Sequence, residues 1–383
     1  MRILFFIGGL TTGGAERQIS LLADGLAHQG HKVTVVTIYP GGQYWTWLQN
    51  RGSTKLLSLF NKKPNKAVFT FWQLSWSAVK LRRIILSTKV SLVYSALNLC
   101  NFIAWFSVLG LSHVNLIWGI RASSTTMSWK DSLPFHASGF LSLSVPLLIS
   151  NSYAGLKYSE DNRYKAKSHV VISNGIDTEL YKFNQKSRDH LRNEWCIPKK
   201  VVLIGIVGRL TQMKDHATFL KAASLIAKER NDVLFVCVGD GKEAYRVELL
   251  RLTKDLGLSD KVIWAGERTD VHNVYCALDI AVSSSSYGEG FSNTVSEAMA
   301  CGVPCVVTDV GDSARIVDDT GLVVDVKNPT QLADACLRVA EFSDDHRKAI
   351  GVKARTRIEN KFSVSATVTA TEKAMLSLSD NAN

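Results

Sequence analysis

Two glutamates, Glu289 and Glu297, stand eight residues apart in the segment YGEGFSNTVSEAMA, which spans residues 287–300. Glycines and small polar residues come first, and a helix-forming run follows. Backbone N–H groups at the start of such a helix bind phosphate well. Two flanking carboxylates can accept hydrogen bonds from hydroxyls on either side of that phosphate. The pattern therefore suits a ligand with a sugar at each end of a diphosphate, as in a nucleotide sugar, although an ordinary loop with two solvated acids also fits the spacing.

Two cations follow a predicted strand earlier in the same half of the chain. Gly208 and Arg209 come directly after the apolar run Val201–Val207, and Lys214 lies five residues beyond the arginine. At the carboxyl end of a strand, the planar fork of an arginine and the point charge of a lysine can reach diphosphate oxygens. Taken alone, two surface cations would give the same pattern.

Three glycine turns are weaker signals. Gly239-Asp240-Gly241 ends the next predicted strand, and Gly266-Glu267-Arg268 ends another. Glycines there permit a nucleotide to approach the backbone closely, but such turns are common. Gly13 and Gly14 close the first loop, which lacks the Gly-x-Gly-x-x-Gly fingerprint, so we exclude NAD. That loop can open a phosphate or acceptor pocket at a helix N-terminus, or it can simply be a tight turn.

Metal-ligand patterns are missing from the sequence. No Asp-x-Asp pair ends a strand, and His and Cys residues do not cluster. We therefore expect no tightly bound metal and no cofactor. Cations, a helix dipole and backbone amides would instead stabilise the charge on a diphosphate.

The elements that must position these residues alternate between short apolar strands and helical patterns, which predicts an α/β fold with parallel sheets. The alternation runs once through the first half and restarts after the polar stretch Tyr181–Lys200, which has the composition of a linker. Each half thus predicts a doubly wound unit with its ligand site at the carboxyl ends of the strands. We assign domains to residues 1–182 and 183–362, and a C-terminal helix that could pack back towards the first domain to residues 363–383. The predicted strands are Ile3–Ile7, Lys32–Ile38, Ser91–Ser95, Val114–Ile120, Val145–Ser150, His169–Ser173, Val201–Val207, Val233–Val238, Lys261–Trp264, Ile280–Ser283 and Pro304–Thr308.

Charge is concentrated in the first half. Residues 1–185 hold 19 Lys or Arg against 7 Asp or Glu, whereas residues 186–383 hold 26 against 27. Seven of the nine tryptophans also lie in the first half: Trp45, Trp47, Trp72, Trp76, Trp105, Trp118 and Trp129. Basic residues interleaved with tryptophan suit an anionic membrane surface, and solvated lysines beside core tryptophans are the open alternative. A nucleic-acid partner is the least favoured reading.

Compartment and membrane topology follow from cysteine usage and hydropathy. Seven scattered cysteines without a pairing pattern fit a reducing, cytoplasmic location, and we expect no signal peptide. The longest apolar stretch, Leu99–Leu111, is too short to cross a bilayer and predicts a buried helix.

Taken together, the ordered motifs resemble the retaining glycosyltransferases of family 4, which have the two-domain GT-B fold with Rossmann-like domains facing across a central cleft. The resemblance covers nearly the whole chain. The matching pieces are residues 13–17 (GGAER), 173–177 (SNGID), 208–210 (GRL) with Lys214, 238–241 (VGDG), and the strongest, 289–293 (EGFSN) through 297–304 (EAMACGVP).

The resemblance implies roles for these residues and a retaining, metal-independent reaction. Arg209 and Lys214 would hold the donor diphosphate as it leaves, Glu289 would bind the donor sugar and Glu297 the ribose. The backbone of Gly290, Phe291, Ser292 and Asn293 would meet the distal phosphate, with Gly208, Gly239, Gly241 and Arg268 completing the donor site. Gly13 and Gly14 would lie near the acceptor. Leaving phosphate would take the acceptor proton on the same face of the sugar.

One position departs from the family pattern. Many members carry a histidine at the carboxyl end of the fifth strand, where this chain reads Trp118-Gly-Ile-Arg121-Ala-Ser123. Arg121 could contact an anionic acceptor, or it could be a surface cation.

We therefore predict a bacterial glycosyltransferase at the inner face of the plasma membrane, active in surface-polysaccharide assembly such as lipopolysaccharide, O-antigen or capsule. It would move a hexose or N-acetylhexosamine from a nucleotide sugar to a lipid-linked saccharide, and UDP is chosen because it is the commoner donor nucleotide in the family. The alternatives are a nucleotide-sugar 2-epimerase of the same fold, or a basic membrane or nucleic-acid module with a vestigial cleft.

Overall fold

The computed structural model describes residues 1–62, 71–121 and 138–380. The chain divides into two compact units, of which unit 1 comprises Met1–Gly175 with Val364–Asn383 and unit 2 comprises Ile176–Ser363. Part of the predicted segment around Arg121, namely Ala122 and Ser123, and also Trp129 fall outside the described residues.

Unit 1 is built on a parallel sheet with the strand order β3-β2-β1-β4-β5-β6-β7. Its strands are β1 (Arg2–Ile7), β2 (Lys32–Thr37), β3 (Lys55–Ser58), β4 (Leu92–Ala96), β5 (Asn115–Ile120), β6 (Leu147–Ser150) and β7 (Ser168–Val171). Side chains of β1 alternate between two cores, because Ile3, Phe5 and Ile7 enter one and Leu4 and Phe6 enter the other. Both faces are thus covered, which explains the nearly continuous apolar run.

Helices flank this sheet at the expected places. They are α1 (Gly14–His28), α2 (Gln43–Arg51), α3 (Phe71–Thr88), α4 (Asn98–Val108) and α5 (Tyr153–Asp161), with a short 3-10 turn at Ser142–Ser144. The apolar face predicted for α1 packs inward through Ile19, Leu22 and Leu26. Helix α4 corresponds to the apolar stretch that was predicted to form a buried helix. It buries Ile103 and Ala104 but leaves Phe106 exposed, so only one face of this helix is buried.

Unit 2 repeats the plan with the parallel strand order β10-β9-β8-β11-β12-β13. Its strands are β8 (Val202–Val207), β9 (Val233–Val238), β10 (Val262–Gly266), β11 (Ile280–Ser283), β12 (Cys305–Thr308) and β13 (Gly321–Val324). Its helices are α6 (Gln185–Glu194), α7 (His216–Glu229), α8 (Glu243–Asp255), α9 (Val271–Ala277), α10 (Asn293–Ala300), α11 (Ser313–Val317), α12 (Pro329–Ala340) and α13 (Asp344–Lys361), with a 3-10 turn at Asp318–Thr320. The predicted doubly wound α/β fold is therefore confirmed for both units.

The polar stretch that we interpreted as a linker is part of unit 2. Helix α6 lies within it, and Leu191 on this helix is fully buried. Arg188 and Arg192 both pair with the carboxylate of Asp279, at 2.6 and 3.0 Å, and that carboxylate also accepts a hydrogen bond from the Leu203 backbone N–H at 2.7 Å. The segment has a polar composition because most of its side chains face solvent, while Leu191 and the ion pairs to Asp279 anchor its helix to unit 2. Composition alone does not distinguish such a helix from a linker.

The last helix, α14 (Val364–Asp380), belongs to unit 1. Val368 and Met375 are buried in the same core as α1, and Gly25 of α1 lies so close that an added Cβ would stand 2.5 Å from a Val368 methyl group. The units divide at 175/176 and 363/364, against expected boundaries at 182/183 and 362/363. Unit 2 begins earlier because Ile176 and Tyr181 are buried in its core.

Candidate active site

A lysine and a glutamate from two loops of unit 2 meet beyond the carboxyl ends of β8 and β11. Lys214 Nζ donates to Glu289 Oε1, and both side chains are largely buried, with 15% and 9% of their surface exposed. Ser285 Oγ donates to the same carboxylate oxygen at 2.9 Å. Two of the three residues predicted to be catalytic are thus in direct contact at the edge where ligands bind in such sheets.

The loop that carries Lys214 is fixed by hydrogen bonds from Ser284 to its backbone. Ser284 Oγ donates to the carbonyl oxygens of Lys214 and Asp215, at 2.9 and 3.0 Å. The lysine stem also packs on Gly208, where an added Cβ would lie 3.4 Å from Lys214 Cε. Arg209, the next residue, is exposed, and its guanidinium forms no hydrogen bond or ion pair with any residue that the structure describes. It is placed as a solvent-facing cation beside the buried ion pair.

The glycines at 239 and 241 are explained by packing against the loop after β8. A Cβ at Gly239 would lie 2.0 Å from the Gly208 carbonyl oxygen, and one at Gly241 would lie 2.2 Å from that of Leu210. Backbone hydrogen bonds join the same segments, from Gly208 to Val238 and from Leu210 to Asp240, each at 2.9 Å. Glycine is therefore required here for close contact between two backbones, a role that the sequence interpretation did not include.

Helix α10 follows the glutamate loop and carries the second carboxylate. Glu297 is 4% exposed and accepts a hydrogen bond at 3.0 Å from the hydroxyl of buried Tyr275, whose pKa is raised by burial and by this carboxylate. Phe291 points into the core, with its ring 5.4 Å from that of Phe362, so only its backbone remains for a ligand. Ser292 is the N-cap of α10, but its side chain makes no capping hydrogen bond.

The glutamate loop rests on residues that the sequence interpretation missed. Thr308 Oγ1 donates to the Ser285 carbonyl oxygen at 2.6 Å. Gly311 adopts φ +63°, and a Cβ there would stand 2.4 Å from the Glu289 carbonyl oxygen. The Asp312 N–H donates to the Gly290 carbonyl oxygen at 3.0 Å. The Gly311-Asp312 pair after β12 was the available sequence signal, because glycine is the residue that suits a left-handed turn or a close backbone approach.

A second missed residue is His216, the first residue of α7. Its side chain is fully buried, and neither ring nitrogen has a hydrogen-bond partner among the described residues. Burial, and secondly the charge of Lys214, lower its pKa to about 4. The imidazole beside Lys214 is therefore neutral at ordinary pH.

This histidine should make stability depend on pH. In the unfolded chain, the imidazole of His216 binds a proton below its ordinary pKa of 6.5, whereas in the native protein it does so only near pH 4. The contribution of the neutral imidazole to the free energy of unfolding is therefore fully present above pH 6.5 and is lost as the pH decreases towards 4. Between about pH 7.5 and about pH 5, the free energy of unfolding should fall by about 2 kcal/mol more in the wild type than in His216→Leu. Urea unfolding of both proteins at both pH values measures this difference. An identical pH dependence in the two proteins would show that His216 titrates normally.

Arg268 is not joined to the Lys214 cluster. Its guanidinium donates to both carboxylate oxygens of Asp270, at 2.8 and 3.0 Å, and to Glu194 at 2.8 Å. These two acids raise its pKa. The structure thus shows Arg268 engaged in an ion-pair network between α6 and the loop that precedes α9.

In unit 1, the predicted acceptor residues lie at the carboxyl ends of β1 and β5. Gly13 is the N-cap of α1, which begins at Gly14, and the carboxylate of Glu16 folds back over it, since a Cβ at Gly13 would lie 2.0 Å from Glu16 Oε2. Arg121 follows β5 and donates to Asn174 Oδ1 at 2.9 Å and to the Tyr94 hydroxyl at 3.0 Å. It is therefore a fixed, partly buried side chain and not a free surface cation.

The part of the chain that the structure describes contains neither a metal-ligand cluster nor a membrane-spanning helix. Within residues 1–62, 71–121 and 138–380, no three His, Cys, Asp or Glu side chains gather as a metal-ligand set would. None of the described helices combines the length and the apolar character needed to cross a bilayer.

Two protein-family models match the chain. The model described as "Glycosyltransferase Family 4" matches residues 12–180, and the one described as "Glycosyl transferases group 1" matches residues 201–341. Together the two matches span most of both units.

Individual proteins that resemble this chain are also named as glycosyltransferases. The chain is 27% identical over 361 residues to the N-acetylgalactosamine-N,N'-diacetylbacillosaminyl-diphospho-undecaprenol 4-alpha-N-acetylgalactosaminyltransferase of Campylobacter jejuni, which covers 92% of this chain and 93% of the relative. It is 26% identical over 198 residues to the UDP-Gal:alpha-D-GlcNAc-diphosphoundecaprenol alpha-1,3-galactosyltransferase of Escherichia coli, which covers 51% and 50%. Several other relatives likewise align over about half of their length.

Among solved structures, the Anabaena protein HepE in complex with UDP matches with a TM-score of 0.83 at 22% identity, covering 98% of this chain and 100% of that one. A sucrose-phosphate synthase from Thermosynechococcus elongatus matches with a TM-score of 0.80 at 17% identity, covering all of both chains. These likenesses confirm the predicted GT-B fold.

Proposed function

The chain belongs to the glycosyltransferases of family 4, and from that premise we propose that it transfers a hexose or N-acetylhexosamine from a UDP-sugar to a lipid-linked saccharide. The product would be an intermediate of bacterial surface-polysaccharide assembly. The observation that carries the proposal is the Lys214–Glu289 ion pair next to Gly208, because a cation able to bind a diphosphate there contacts a carboxylate able to bind sugar hydroxyls.

The relatives support the donor and acceptor classes. The Campylobacter jejuni and Escherichia coli enzymes are both named for acceptors in which a saccharide is attached to undecaprenol through a diphosphate, and the second is named for UDP-galactose. The lipopolysaccharide core mannosyltransferase of Rhizobium meliloti, 30% identical over 193 residues, supports the pathway class. Nothing in these comparisons favours a 2-epimerase or a vestigial binding module.

We assign the donor to unit 2. Arg209 and Lys214 would bind the diphosphate, because a planar guanidinium and a lysine ammonium are the side chains that bind phosphate oxygens most strongly. Glu289 would accept hydrogen bonds from the sugar, and Glu297 from the ribose. The backbone of Gly290–Asn293 at the start of α10 would meet the distal phosphate, with Gly208, Gly239, Gly241 and Arg268 lining the remainder.

We propose a retaining reaction that needs no bound metal. The bond between the anomeric carbon and the diphosphate oxygen would break, and a bond to the acceptor oxygen would form on the same face. The acceptor proton would pass to the departing phosphate, so no protein nucleophile is required. Arg209 and Lys214 would stabilise the negative charge that develops on the leaving group, and this electrostatic stabilisation would be the main contribution of the protein.

A transfer assay tests these proposals together. The purified protein is incubated with UDP-sugars and a short polyprenyl-diphosphate saccharide, with and without a chelator, and the product linkage is determined by NMR. We expect an α-linked product from an α-linked donor at unchanged rate in the chelator. A β-linked product would contradict retention, a rate abolished by the chelator would contradict metal independence, and an epimerised donor without transfer would contradict the proposed reaction.

We propose that Gly13, Gly14 and Arg121 bind the acceptor.

We also propose that unit 1 docks on the inner, anionic face of the membrane. Residues 25–130 contain twelve Lys or Arg and no Asp or Glu. On α3, Trp76 and Val79 are exposed, and Arg83 stacks over Trp76 at 5.9 Å. Helix α3 contacts α4, and Arg82 donates to the Leu109 carbonyl oxygen at 2.7 Å. Interleaved cations and exposed aromatic residues suit an anionic interface.

The same surface continues into the segment before β6. Trp105 Nε1 donates to Ser144 Oγ at 2.7 Å, and the neighbouring Phe140 and Leu143 are 66% and 57% exposed. We use the name basic-apolar face for the exposed apolar side chains of this part of unit 1 together with the cations among them. The apolar members of this face are Trp76, Val79, Leu86, Phe106, Leu109, Phe140 and Leu143.

Vesicle sedimentation tests the docking. The protein should pellet with phosphatidylglycerol vesicles at low salt and be released by salt, because surface charges beyond a Debye length of about 10 Å at 0.1 M are screened. Combined Trp76→Ser and Phe140→Ser should reduce pelleting, whereas Val352→Ser, at an equally exposed position in unit 2, should not. Pelleting that is unaffected by salt would indicate apolar insertion, and equal pelleting of all variants would exclude this face.

A further inference from the structure

Arg121 is held in one orientation by neutral partners. Its two terminal nitrogens donate to Asn174 Oδ1 and to the Tyr94 hydroxyl, at 2.9 and 3.0 Å. Asn174 is 4% exposed, and Tyr94 is fully buried. The guanidinium therefore lies at the carboxyl edge of the unit 1 sheet with its direction fixed before any ligand binds.

The charge of Arg121 is not neutralised by the residues that the structure describes. No described carboxylate lies within ion-pair distance of it, and its Nε is buried without a hydrogen-bond partner. Two other arginines that are at least partly buried do have acid partners, since Arg192 pairs with Asp279 and Arg268 pairs with Asp270. A fixed guanidinium that has no acid partner keeps its full positive charge available to a bound anion. A buried N–H group without a hydrogen bond destabilises the protein unless a ligand or a water molecule accepts from it.

The loop that carries Asn174, one partner of this arginine, is itself positioned by two helices. Gln18 of α1 makes two hydrogen bonds to the backbone of Gly175, both at 2.8 Å, and Thr367 of α14 donates to the Ser173 carbonyl oxygen at 3.1 Å. Gly175 also has no room for a Cβ, which would stand 2.8 Å from the Val364 Cα. The loop that carries Asn174 is thus fixed by α1 and α14. Asn174 and Arg121 are therefore held in position before a ligand binds, as a preorganised binding site requires.

We propose that Arg121 is the specificity-determining residue with which unit 1 recognises a phosphate-type dianion of its substrate, and that Asn174 and Tyr94 are positioning residues that leave its charge available. This inference rests on the proposed function, in which the acceptor saccharide is attached to its lipid through a diphosphate. The guanidinium fork matches two phosphate oxygens, which a lysine could not match.

Calorimetric titration with farnesyl diphosphate, a short polyprenyl diphosphate, tests the site without requiring turnover. Arg121→Gln should weaken binding at least roughly tenfold, the change expected for losing one hydrogen bond to a charged group. Asn174→Asp should weaken it similarly, because the new carboxylate would pair with Arg121 and neutralise it. Arg2→Gln, which removes an exposed arginine at the opposite end of the same sheet, should have no effect.

Parallel titrations identify the source of the phosphate. If Arg121→Gln weakens UDP binding and leaves farnesyl diphosphate unchanged, the residue serves the donor and the proposal is overturned. If it weakens only the pelleting with phosphatidylglycerol vesicles, it serves a membrane headgroup, which also overturns it. Unchanged farnesyl diphosphate affinity in both Arg121→Gln and Asn174→Asp contradicts the proposal directly. Arg121-dependent farnesyl diphosphate binding in a protein that transfers no sugar would refute the proposed function and leave the anion site in place.

Discussion

Replacing Lys214 by alanine is expected to lower turnover at least about 100-fold, the scale for losing one preorganised contact to transition-state charge. The ammonium is held by Glu289 and its stem packs on Gly208, so it requires little reorganisation to meet a leaving diphosphate. Initial rates of UDP release with a lipid-linked acceptor measure the effect.

The matched control is Lys221→Ala, which removes an exposed lysine from the helix that begins two residues after Lys214. Its turnover should equal that of the wild type. Thermal unfolding of both variants shows whether the fold is retained. Turnover near the wild-type level in Lys214→Ala, with the fold intact, would remove this residue from the catalytic site.

Glu289→Gln is expected to lower turnover by a similar factor of at least about 100, because the neutral amide accepts hydrogen bonds from sugar hydroxyls more weakly than a carboxylate. The substitution keeps the shape of the side chain and its contact with Ser285, so the loss would arise from charge. It also leaves the largely buried Lys214 without a counter-ion, which should reduce stability to a smaller degree.

Glu248→Gln, an exposed glutamate on α8, serves as the control and should be active. The double variant Lys214→Ala/Glu289→Gln should lose less activity than the product of the single effects, since residues in contact act as a unit. Strictly multiplicative losses would mean that the ion pair has no role in catalysis.

The architecture could be predicted from the sequence because both sheets are covered on both faces. Strands such as β9 therefore appear as uninterrupted apolar runs, and the predicted Val233–Val238 agrees with the structure. The edge strands β3 and β13 were not predicted, because each has only four residues and an apolar run that short does not distinguish a strand from part of a helix or loop. Polar composition misled the interpretation at α6, whose buried arginines depend on Asp279, a residue about 90 positions away.

The features of the candidate site that could not be predicted from the sequence are contacts between residues far apart in the chain. The pair at 214 and 289 was expected to serve one ligand, but nothing in the spacing predicted that the two side chains touch. The support from Thr308 and Gly311, the neutral partners of Arg121 and the buried His216 depend on backbone proximity that only the folded chain creates. Motif spacing predicted the chemistry, and the fold determines which atoms are available for it.

Calorimetric titration of UDP and UMP tests most directly whether unit 2 binds a nucleotide diphosphate through Arg209 and Lys214. In the wild type, UDP should bind at least roughly tenfold more tightly than UMP, since the second phosphate adds contacts to charged groups. In Arg209→Ala/Lys214→Ala, the two affinities should become nearly equal. An undiminished preference for UDP in that double variant would contradict the account.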